Sequence, residues 1–265
     1  MRKICIVNQK GGVAKSTTAI NLAAGLALAG KKVLLLDLDP QGHVATYFPI
    51  KEYKKNMYDL LTNGASAEEC IYTVGTNLDV IISSKEMRGA EPILYKKADG
   101  AGVLLAKLEK VKGYDYVISD SPPSVGILSQ NAMLFADEAI IPTTADPLGL
   151  DGMKKMIRTI TEFNEHSGHK LKISRIVPTM FDKRNKICKT VYDEMRNEYY
   201  ELVSEPISIN SKLKEAPRAM KSIFTYAPTS SGALDYKRLV ESVISEEPLC
   251  ERHRVSERKT VKLTV

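Results

Sequence analysis

The sequence predicts an α/β protein with a mostly parallel, twisted sheet that is flanked by helices on both faces. Short runs rich in β-branched and other apolar residues recur along the chain, and longer segments with helical spacing follow most of them. This alternation indicates a parallel sheet, because the helices that connect parallel strands cover both of its faces.

The elements follow one another in a regular order. The first strand is the apolar run Ile4-Cys5-Ile6-Val7, and the second is Val33-Leu34-Leu35-Leu36. In full, we predict strands at residues 3–7, 33–36, 78–82, 116–119, 138–142 and 172–177. We predict helices at residues 16–29, 102–111, 129–135, 150–165, 186–201 and 233–245. No repeat, low-complexity block or linker divides the chain, so we expect one domain over residues 1–247 and a polar, basic tail over residues 248–265.

Composition excludes several classes of protein. The chain has 265 residues, of which 43% are hydrophobic, as in ordinary globular proteins. Its longest weakly polar run, residues 19–30, is well short of the roughly 20 residues that span a bilayer. The N-terminus shows no apolar signal region. The four cysteines are far apart and form no C-x-x-C pair, which argues against a zinc site and favours a cytoplasmic protein.

The charge balance is mildly basic, with 38 Lys and Arg against 32 Asp and Glu and a formal net charge of +6. Such an excess permits a polyanionic partner but does not require one. Much of it lies in two stretches near the C-terminus, residues 207–221 and 251–265.

A glycine- and lysine-rich segment, residues 8–17, lies between the first predicted strand and the first predicted helix. Such a junction presents backbone N–H groups and a helix N-terminus to an anion. Gly11 and Gly12 permit positive φ, so that successive amides can point into one concavity. Lys15 can reach the phosphates of a nucleotide, Ser16 offers a hydroxyl to Mg²⁺, and Thr17 offers a second hydroxyl.

The order K-G-G-x-x-K-S-T in this segment resembles the deviant Walker A motif of the ParA/MinD family of P-loop ATPases. Gln9 and Ala14 stand where the strict Walker A pattern has glycine. The resemblance implies a P-loop fold and the cofactors ATP and Mg²⁺. It further implies two catalytic lysines: Lys15, which balances charge on the transferring phosphoryl group, and Lys10, which reaches the nucleotide of a partner subunit. It also implies that one segment binds the nucleotide: Lys10, Gly11, Gly12, Val13, Ala14, Lys15, Ser16 and Thr17.

Two acidic segments extend the resemblance. Asp37 and Asp39, at the end of the second predicted strand, lie in a segment that is similar to the family's D-x-D-P-Q-G. By this likeness Asp39 orients or activates the attacking water, and Asp37 supports the magnesium shell. Asp120 ends an apolar run and is followed by Ser-Pro-Pro-Ser, as in the family's Walker B segment, so it is expected to bind Mg²⁺ through water together with Ser16.

The resemblance continues toward residue 245. Residues 139–143 and 150–152 look like the family's I-I-P and L-E-G stretch, and residues 215–217 match its E-A-P. Residues 178–182 resemble its T-M-[YF]-D segment, which implies that Met180 and Asp182 lie beside the adenine.

The resemblance implies a slow, partner-stimulated ATPase that serves as a switch. In such proteins the ATP-bound homodimer binds nonspecific double-stranded DNA and drives plasmid or chromosome partition with a ParB-like, centromere-binding partner. We therefore expect a cytoplasmic, nucleoid-associated protein without stable membrane association. The candidate DNA contacts are the basic residues Lys186, Lys189, Lys212, Lys214, Arg218 and Lys221.

Other functions remain open at this point. A MinD-like membrane-associated positioning ATPase would need a C-terminal amphipathic helix, and the tail lacks a clear apolar face. A nitrogenase-iron-protein-like reductase would need cysteines near Asp120, where the sequence has serines instead. A ligase of similar fold, such as dethiobiotin synthetase, would not need Lys10. A relative that positions cargo other than DNA would share the switch residues. No helix-turn-helix segment precedes the loop, which favours the short, Soj-like type.

Overall fold

A seven-stranded sheet organises the part of the chain that the computed structural model describes, residues 1–50 and 53–245. Its strands lie in the order β3-β4-β2-β5-β1-β6-β7. They are β1 (Arg2–Ile6), β2 (Val33–Asp37), β3 (Tyr72–Gly75), β4 (Leu78–Ile81), β5 (Tyr116–Asp120), β6 (Glu138–Thr144) and β7 (Lys172–Thr179). The predicted tail, residues 248–265, lies outside the described residues.

The prediction of a mostly parallel sheet is confirmed. Each strand pair is parallel except β3 with β4, which pair antiparallel at one edge. The sequence analysis missed β3, because a four-residue edge strand with alternate residues exposed gives only a short periodic signal. The other six strands occur where they were predicted, with ends that differ by one or two residues.

Helices connect the strands. They are α1 (Lys15–Leu28), α2 (Met57–Thr62), α3 (Ala67–Cys70), α4 (Ala90–Tyr95), α5 (Val103–Leu108), α6 (Ile127–Phe135), α7 (Pro147–Ser167), α8 (Lys186–Tyr199), α9 (Ser211–Glu215), α10 (Ile223–Tyr226) and α11 (Ser231–Ser245). Short 3₁₀ helices occur at Val44–Tyr47, Lys85–Gly89 and Ala216–Ala219. The predicted long helices are confirmed, and α2, α3, α4, α9 and α10 were not predicted.

The sheet divides the apolar interior into two layers. In β2, Val33 and Leu35 face the layer that contains α1 and α11, and Leu34 and Leu36 face the layer that contains α6 and α7. Successive strand residues point to opposite faces, so a strand buried on both sides is apolar throughout. This explains why the strands read as unbroken apolar runs.

The carboxyl ends of β2, β5 and β1 lie side by side, because β5 pairs with both of the others. In the register, Asp37 of β2 is opposite Asp120 of β5, and Ile6 of β1 is opposite the same Asp120. The glycine- and lysine-rich loop that follows β1 therefore meets both acidic segments at one edge of the sheet. Ligands of open α/β sheets bind at this edge.

Candidate nucleotide-binding site

The loop between β1 and α1 has two residues with left-handed backbone. Gly12 has φ of 73° and Ala14 has φ of 64°, whereas Gly11 does not adopt positive φ. Glycine tolerates this conformation freely, but an alanine there costs about 1–2 kcal/mol. Ala14 precedes the first residue of α1 and provides no side-chain cap. Because no side chain caps this helix end, its first N–H groups can bind an anion.

A cavity of about 430 Å³ opens over this loop. Of the predicted nucleotide-binding residues, it is lined by Gly11, Gly12, Ala14, Lys15, Ser16, Thr17 and Met180. Val13 does not line it: its side chain is fully buried, and its carbonyl oxygen accepts a hydrogen bond from Thr179 Oγ1 at 3.3 Å. The structure thus brings most of the predicted segment to one cavity. Val13 lies outside the cavity and anchors the loop to the protein interior.

Lys15 lies at the floor of this cavity, with only 7% of its surface exposed. Its Nζ donates a hydrogen bond to the carbonyl oxygen of Lys10 at 3.1 Å. Burial lowers the pKa of Lys15, and the carboxylates of Asp120 and Asp39 oppose that shift. The site therefore holds a cation beside two acidic groups.

Asp120 is fully buried, and neither of its carboxylate oxygens has a hydrogen-bond partner of normal geometry among the described residues, although the Ser16 hydroxyl lies close to it. Burial raises the pKa of Asp120 to about 7, with a further upward contribution from Asp39. The Ser16 hydroxyl and the Lys15 ammonium lower it only in part. A buried carboxylate without partners is costly unless a cation or donor satisfies it.

Asp37, opposite Asp120 in the sheet, is buried as well but is fully engaged by backbone. Its two oxygens accept hydrogen bonds from the amides of Asp39, at 3.1 Å, and Val44, at 3.2 Å. Burial and the neighbouring Asp120 raise the pKa of Asp37 well above its usual range. Asp37 does not line the cavity, and its contacts shape the loop that carries Asp39.

Asp39 does line the cavity, and it is nearly buried, with 6% of its surface exposed. Its Oδ1 accepts a hydrogen bond from the amide of Gln41 at 2.9 Å, and its carbonyl oxygen accepts one from Gly42 at 2.9 Å. These bonds close a tight turn that fixes the carboxylate toward the cavity.

Lys10 points elsewhere. Its Nζ lies 3.2 Å from Thr144 Oγ1 and 3.3 Å from Asp146 Oδ1, and its side chain does not line the cavity of its own chain. The structure therefore separates the two lysines of the motif: Lys15 faces the cavity, and Lys10 contacts the start of α7.

Met180 and Asp182 differ in position. Met180 has φ of 53° and lines both the main cavity and an adjoining one of about 160 Å³. Asp182 lines neither, and its carboxylate instead pairs with Arg184 at 3.0 Å. The arginine lowers the pKa of Asp182. The prediction that both residues lie at the same subsite therefore has geometric support only for Met180.

Sequence reasoning missed six residues that line the cavity, namely Gln41, His43, Thr46, Tyr47, Pro123 and Pro217. Tyr47 is buried, and burial raises its pKa while the Thr17 hydroxyl lowers it. Its place in a 3₁₀ helix a few residues after Asp39 carries no periodic signal. Pro217 could have been found, because it lies within the E-A-P segment.

Comparisons with known proteins find relatives that cover most of the chain. Residues 1–173 match the model of a family described as AAA domain. The chain is 37% identical over 245 residues to the sporulation initiation inhibitor protein Soj of Bacillus subtilis, covering 91% of this chain and 97% of that protein. It is 35% identical over 254 residues to the chromosome partitioning protein ParA of Caulobacter vibrioides, covering 93% of this chain and 95% of that protein.

The chain belongs to the Soj/ParA family of P-loop ATPases.

Solved structures of similar proteins fit the family assignment. A plasmid partition protein from Borrelia burgdorferi bound to AMPPNP is 26% identical, with a TM-score of 0.81, and the match covers 93% of this chain and 99% of that one. Cobyrinic acid a,c-diamide synthase from Mycobacterium smegmatis, solved with an ATP analogue and magnesium, is 27% identical, with a TM-score of 0.78 and coverage of 92% and 94%. The Soj/ParA fold is thus shared with proteins that are solved with bound nucleotide.

The basic residues predicted to contact DNA lie on two parts of this Soj/ParA chain. Lys186 and Lys189 are exposed on the first turns of α8, and the others lie between residues 212 and 221. Lys212 is not free, since its Nζ pairs with Glu215 Oε2 at 2.9 Å and the same oxygen accepts a hydrogen bond from the hydroxyl of Tyr226. Within residues 1–50 and 53–245, the exposed members whose side chains form no ion pair are Lys186, Lys189, Lys214, Arg218 and Lys221.

The described part of the chain has neither a membrane-spanning helix nor a cluster of metal-ligating side chains. Within residues 1–50 and 53–245, no helix is both long and apolar enough to cross a bilayer. In the same ranges, no group of three or more His, Cys, Asp and Glu side chains is arranged to hold a metal ion by itself. A magnesium ion at this site would have to draw most of its ligands from phosphates and water, as Mg²⁺ commonly does.

Proposed function

We propose that this Soj/ParA family member is a MgATP-dependent, dimerising switch that binds nonspecific DNA as the ATP dimer and drives plasmid or chromosome partition with a ParB-like partner. The observation that carries the proposal is a cavity with positive charge at its wall and a buried carboxylate next to that charge. The uncapped start of α1 and Lys15 line the cavity, and Asp120, which lies beside Lys15 without lining the cavity, has no hydrogen-bond partner of normal geometry among the described residues.

The two adjoining cavities suggest how a nucleotide is held. The phosphates lie against the loop amides and Lys15 in the larger cavity, where the helix N-terminus favours negative charge. The base enters the smaller cavity, which shares Ala14, Thr17 and Met180 with the larger one. The apolar side chains of Ile207, Ile209 and Leu213 also line that smaller cavity, as suits an aromatic ring.

Ser16, which lines the cavity, and Asp120, which is buried next to it, fit a magnesium ion that arrives with the nucleotide. Ser16 offers a hydroxyl, and the unpartnered oxygens of Asp120 can accept hydrogen bonds from metal-bound water. The ion would supply charge neutralisation at the phosphates. Asp37 supports this arrangement from behind, through the loop amides that it binds.

Hydrolysis is assigned to residues that the structure holds in place. Asp39 is fixed by its turn so that its carboxylate borders the cavity, where it can accept a hydrogen bond from an attacking water. Lys15 and the loop amides stabilise charge on the transferring phosphoryl group. Lys10 contributes to the nucleotide of a second copy, as the family resemblance implies, and it does not line the cavity of its own chain.

Coupling to DNA follows from charge and from dimerisation. A single chain is only mildly basic, and its exposed candidates lie on α8 and between residues 212 and 221. A dimer presents two copies of this surface to one duplex, and affinity for DNA rises steeply with the number of phosphates that are contacted. We place the protein in the cytoplasm and on the nucleoid in its ATP-bound state.

A gel-shift assay on nonspecific duplex DNA tests the proposal. We expect binding with MgATP and none with MgADP or without nucleotide, because only ATP supports the dimer. Binding should weaken steeply as salt rises. The Lys15→Gln variant should fail to bind DNA in every nucleotide state. The Lys110→Gln variant, at an exposed residue that follows α5 and lines neither cavity, serves as a charge-matched control.

Three outcomes contradict the proposal in different ways. Equal DNA binding with ATP, ADP and no nucleotide would remove the switch. Binding of ATP-loaded protein to anionic liposomes, without binding to DNA, would favour a membrane-associated positioning ATPase. A normal rate of hydrolysis in the Asp39→Ala variant would remove Asp39 from its role.

A further inference from the structure

The side chain of Lys10 forms a hydrogen bond and an ion pair within its own chain. Its ammonium lies between Thr144 Oγ1, at 3.2 Å, and Asp146 Oδ1, at 3.3 Å, at the point where β6 ends and α7 begins. Burial acts against the shift, but the Thr144 hydroxyl, the Gly149 amide and the Lys10 ammonium lower the pKa of Asp146. We call these contacts the Lys10 latch.

The side-chain stem of Lys10 is positioned as well. Gly152, in the second turn of α7, lies beside it: a Cβ at that position would be in ordinary van der Waals contact with Lys10, 3.5 Å from its Cβ and 3.7 Å from its Cδ. The backbone of Lys10 is fixed at both of its polar atoms. Its amide donates to Asn8 Oδ1 at 3.0 Å, and its carbonyl accepts from Lys15 Nζ at 3.1 Å.

The latch is only partly shielded from water. The Lys10 side chain is 31% exposed and the Asp146 side chain 42% exposed. An ion pair in such a position is weak and can exchange, unlike a buried pair. A lysine ammonium on a flexible stem can therefore leave Asp146 when a stronger anion is offered.

We infer that Asp146 is a positioning residue that retains Lys10 in the free subunit, so that each subunit must release this latch when Lys10 engages the nucleotide of the other. This inference rests on the proposed function, because it assumes that Lys10 acts across a dimer. The contact with Asp146 opposes association, and the phosphates of the second subunit's nucleotide compete for the same ammonium.

Asp146 also has a structural role as a helix cap, and the experiment must separate this role from its contact with Lys10. Its side chain caps α7 by accepting a hydrogen bond from the Gly149 amide at 2.8 Å. Asparagine is as good a helix cap as aspartate, so Asp146→Asn keeps the cap and removes the charge. Glu165→Gln, on an exposed residue in the last turns of the same helix, removes one charge without touching Lys10 and is the matched control.

The experiment measures the dimer dissociation constant by sedimentation velocity with AMPPNP and Mg²⁺. Releasing one weak ion pair in each subunit predicts that Asp146→Asn tightens the dimer by about 2- to 25-fold, while Glu165→Gln leaves it unchanged. Thr144→Val should act in the same direction with a smaller effect. The affinity of the monomer for a fluorescent ATP analogue should stay the same in all variants, since Lys10 does not line its own cavity.

Each outcome is decisive. A dimer that is equally tight or weaker in Asp146→Asn, with a wild-type protein that dimerises, overturns the latch and leaves the proposed function standing. Dimerisation of Asp146→Asn alone supports the latch strongly. If neither protein dimerises with AMPPNP, the proposed function fails and the latch fails with it.

Discussion

At the scale of single residues, the nucleotide loop contains an alanine in a conformation that suits glycine. Ala14 and Gly12 have nearly the same φ, 64° and 73°. The Cβ of Ala14 therefore makes this backbone conformation less favourable than it would be for glycine. The sequence alone did not indicate that Ala14 adopts it. The deviation of Ala14 from the Walker A pattern indicates an unusual loop, but the sequence predicted that Gly11 and Gly12 would provide the positive φ.

We predict that Ala14→Gly and Gly12→Ala have opposite effects on the unligated protein. Ala14→Gly relieves the left-handed strain and should raise the free energy of unfolding by about 1 kcal/mol. Gly12→Ala introduces the same strain and should lower it by about 1–2 kcal/mol, although space is available because nothing lies within 4 Å of the new Cβ. Urea unfolding of the two variants measures both values. Equal shifts of the same sign would contradict this account.

A second prediction concerns Asp120. Folding raises the pKa of the Asp120 carboxyl to about 7, so ionisation of this group destabilises the folded chain. The loss of stability begins as the pH rises past the pKa of the carboxyl in the unfolded chain, and it is complete above about pH 7. Asp120→Asn should therefore stabilise the unligated protein at pH 8 by about 1–3 kcal/mol, with a smaller gain at pH 5. It should also abolish the extra thermal stability that Mg²⁺ adds to the ATP-analogue complex. Thermal unfolding with EDTA and with MgCl₂ separates the two effects, and a loss of stability with EDTA at pH 8 would be the contrary result.

At the scale of elements, α1 positions the site, because its first turn carries Lys15, Ser16 and Thr17, which line the cavity. It is buried along most of its length, between the sheet and α11. Gly25 permits this close packing, because a Cβ there would lie 2.5 Å from Val240 Cγ2 and 2.9 Å from the ring of Phe224. A glycine inside a predicted helix thus has a packing cause.

We predict that Gly25→Ala destabilises the protein even though alanine favours helices. The gain in helix propensity is about 1 kcal/mol, whereas forcing a methyl group into a filled space costs about 1–3 kcal/mol. The expected net change is therefore a loss of up to about 2 kcal/mol in the free energy of unfolding. The double variant Gly25→Ala/Val240→Ala makes room for the methyl group and should show less than the sum of the two single losses. A strictly additive double variant would argue against the clash.

The long elements could be predicted from the sequence, and several short ones could not. The buried strands and the long helices have strong periodicity, but α2, α3 and α4 have only four to six residues each. Two of them carry a local signal that the sequence analysis did not use: Asn56 with Asp59, and Ser66 with Glu69, form capping boxes. No local sequence pattern indicates the side-chain position of Lys10. That position depends on Asp146, which is distant in the sequence and lies next to Lys10 only in the folded chain.

At the scale of the whole molecule, Arg2 connects the first strand, the sheet and the last helix. Its guanidinium makes two hydrogen bonds of 2.7 Å to Glu138 in β6 and one to the carbonyl of Val243 in α11. It also lies over the ring of Tyr116 in β5, 5.6 Å from the ring centre. One side chain thus contacts elements that are far apart in the sequence.

We predict that Arg2→Ala lowers the free energy of unfolding by about 2–4 kcal/mol, because it leaves Glu138 and a carbonyl group poorly satisfied. Hydrogen exchange should become faster in the last turns of α11 as well as in β1. Glu138→Gln keeps one hydrogen-bond acceptor and should cost less. Faster exchange limited to β1 would show that Arg2 does not hold α11.

The facing carboxylates Asp37 and Asp120 have a consequence for the lifetime of the protein. Two buried acidic groups in register make the empty molecule the least stable form of the switch. A ligand that binds only the folded state stabilises it in proportion to the logarithm of its concentration. Under the proposed function, a cell with little ATP would hold more of the open, protease-sensitive chain, so energy supply would set the abundance of the protein as well as its activity.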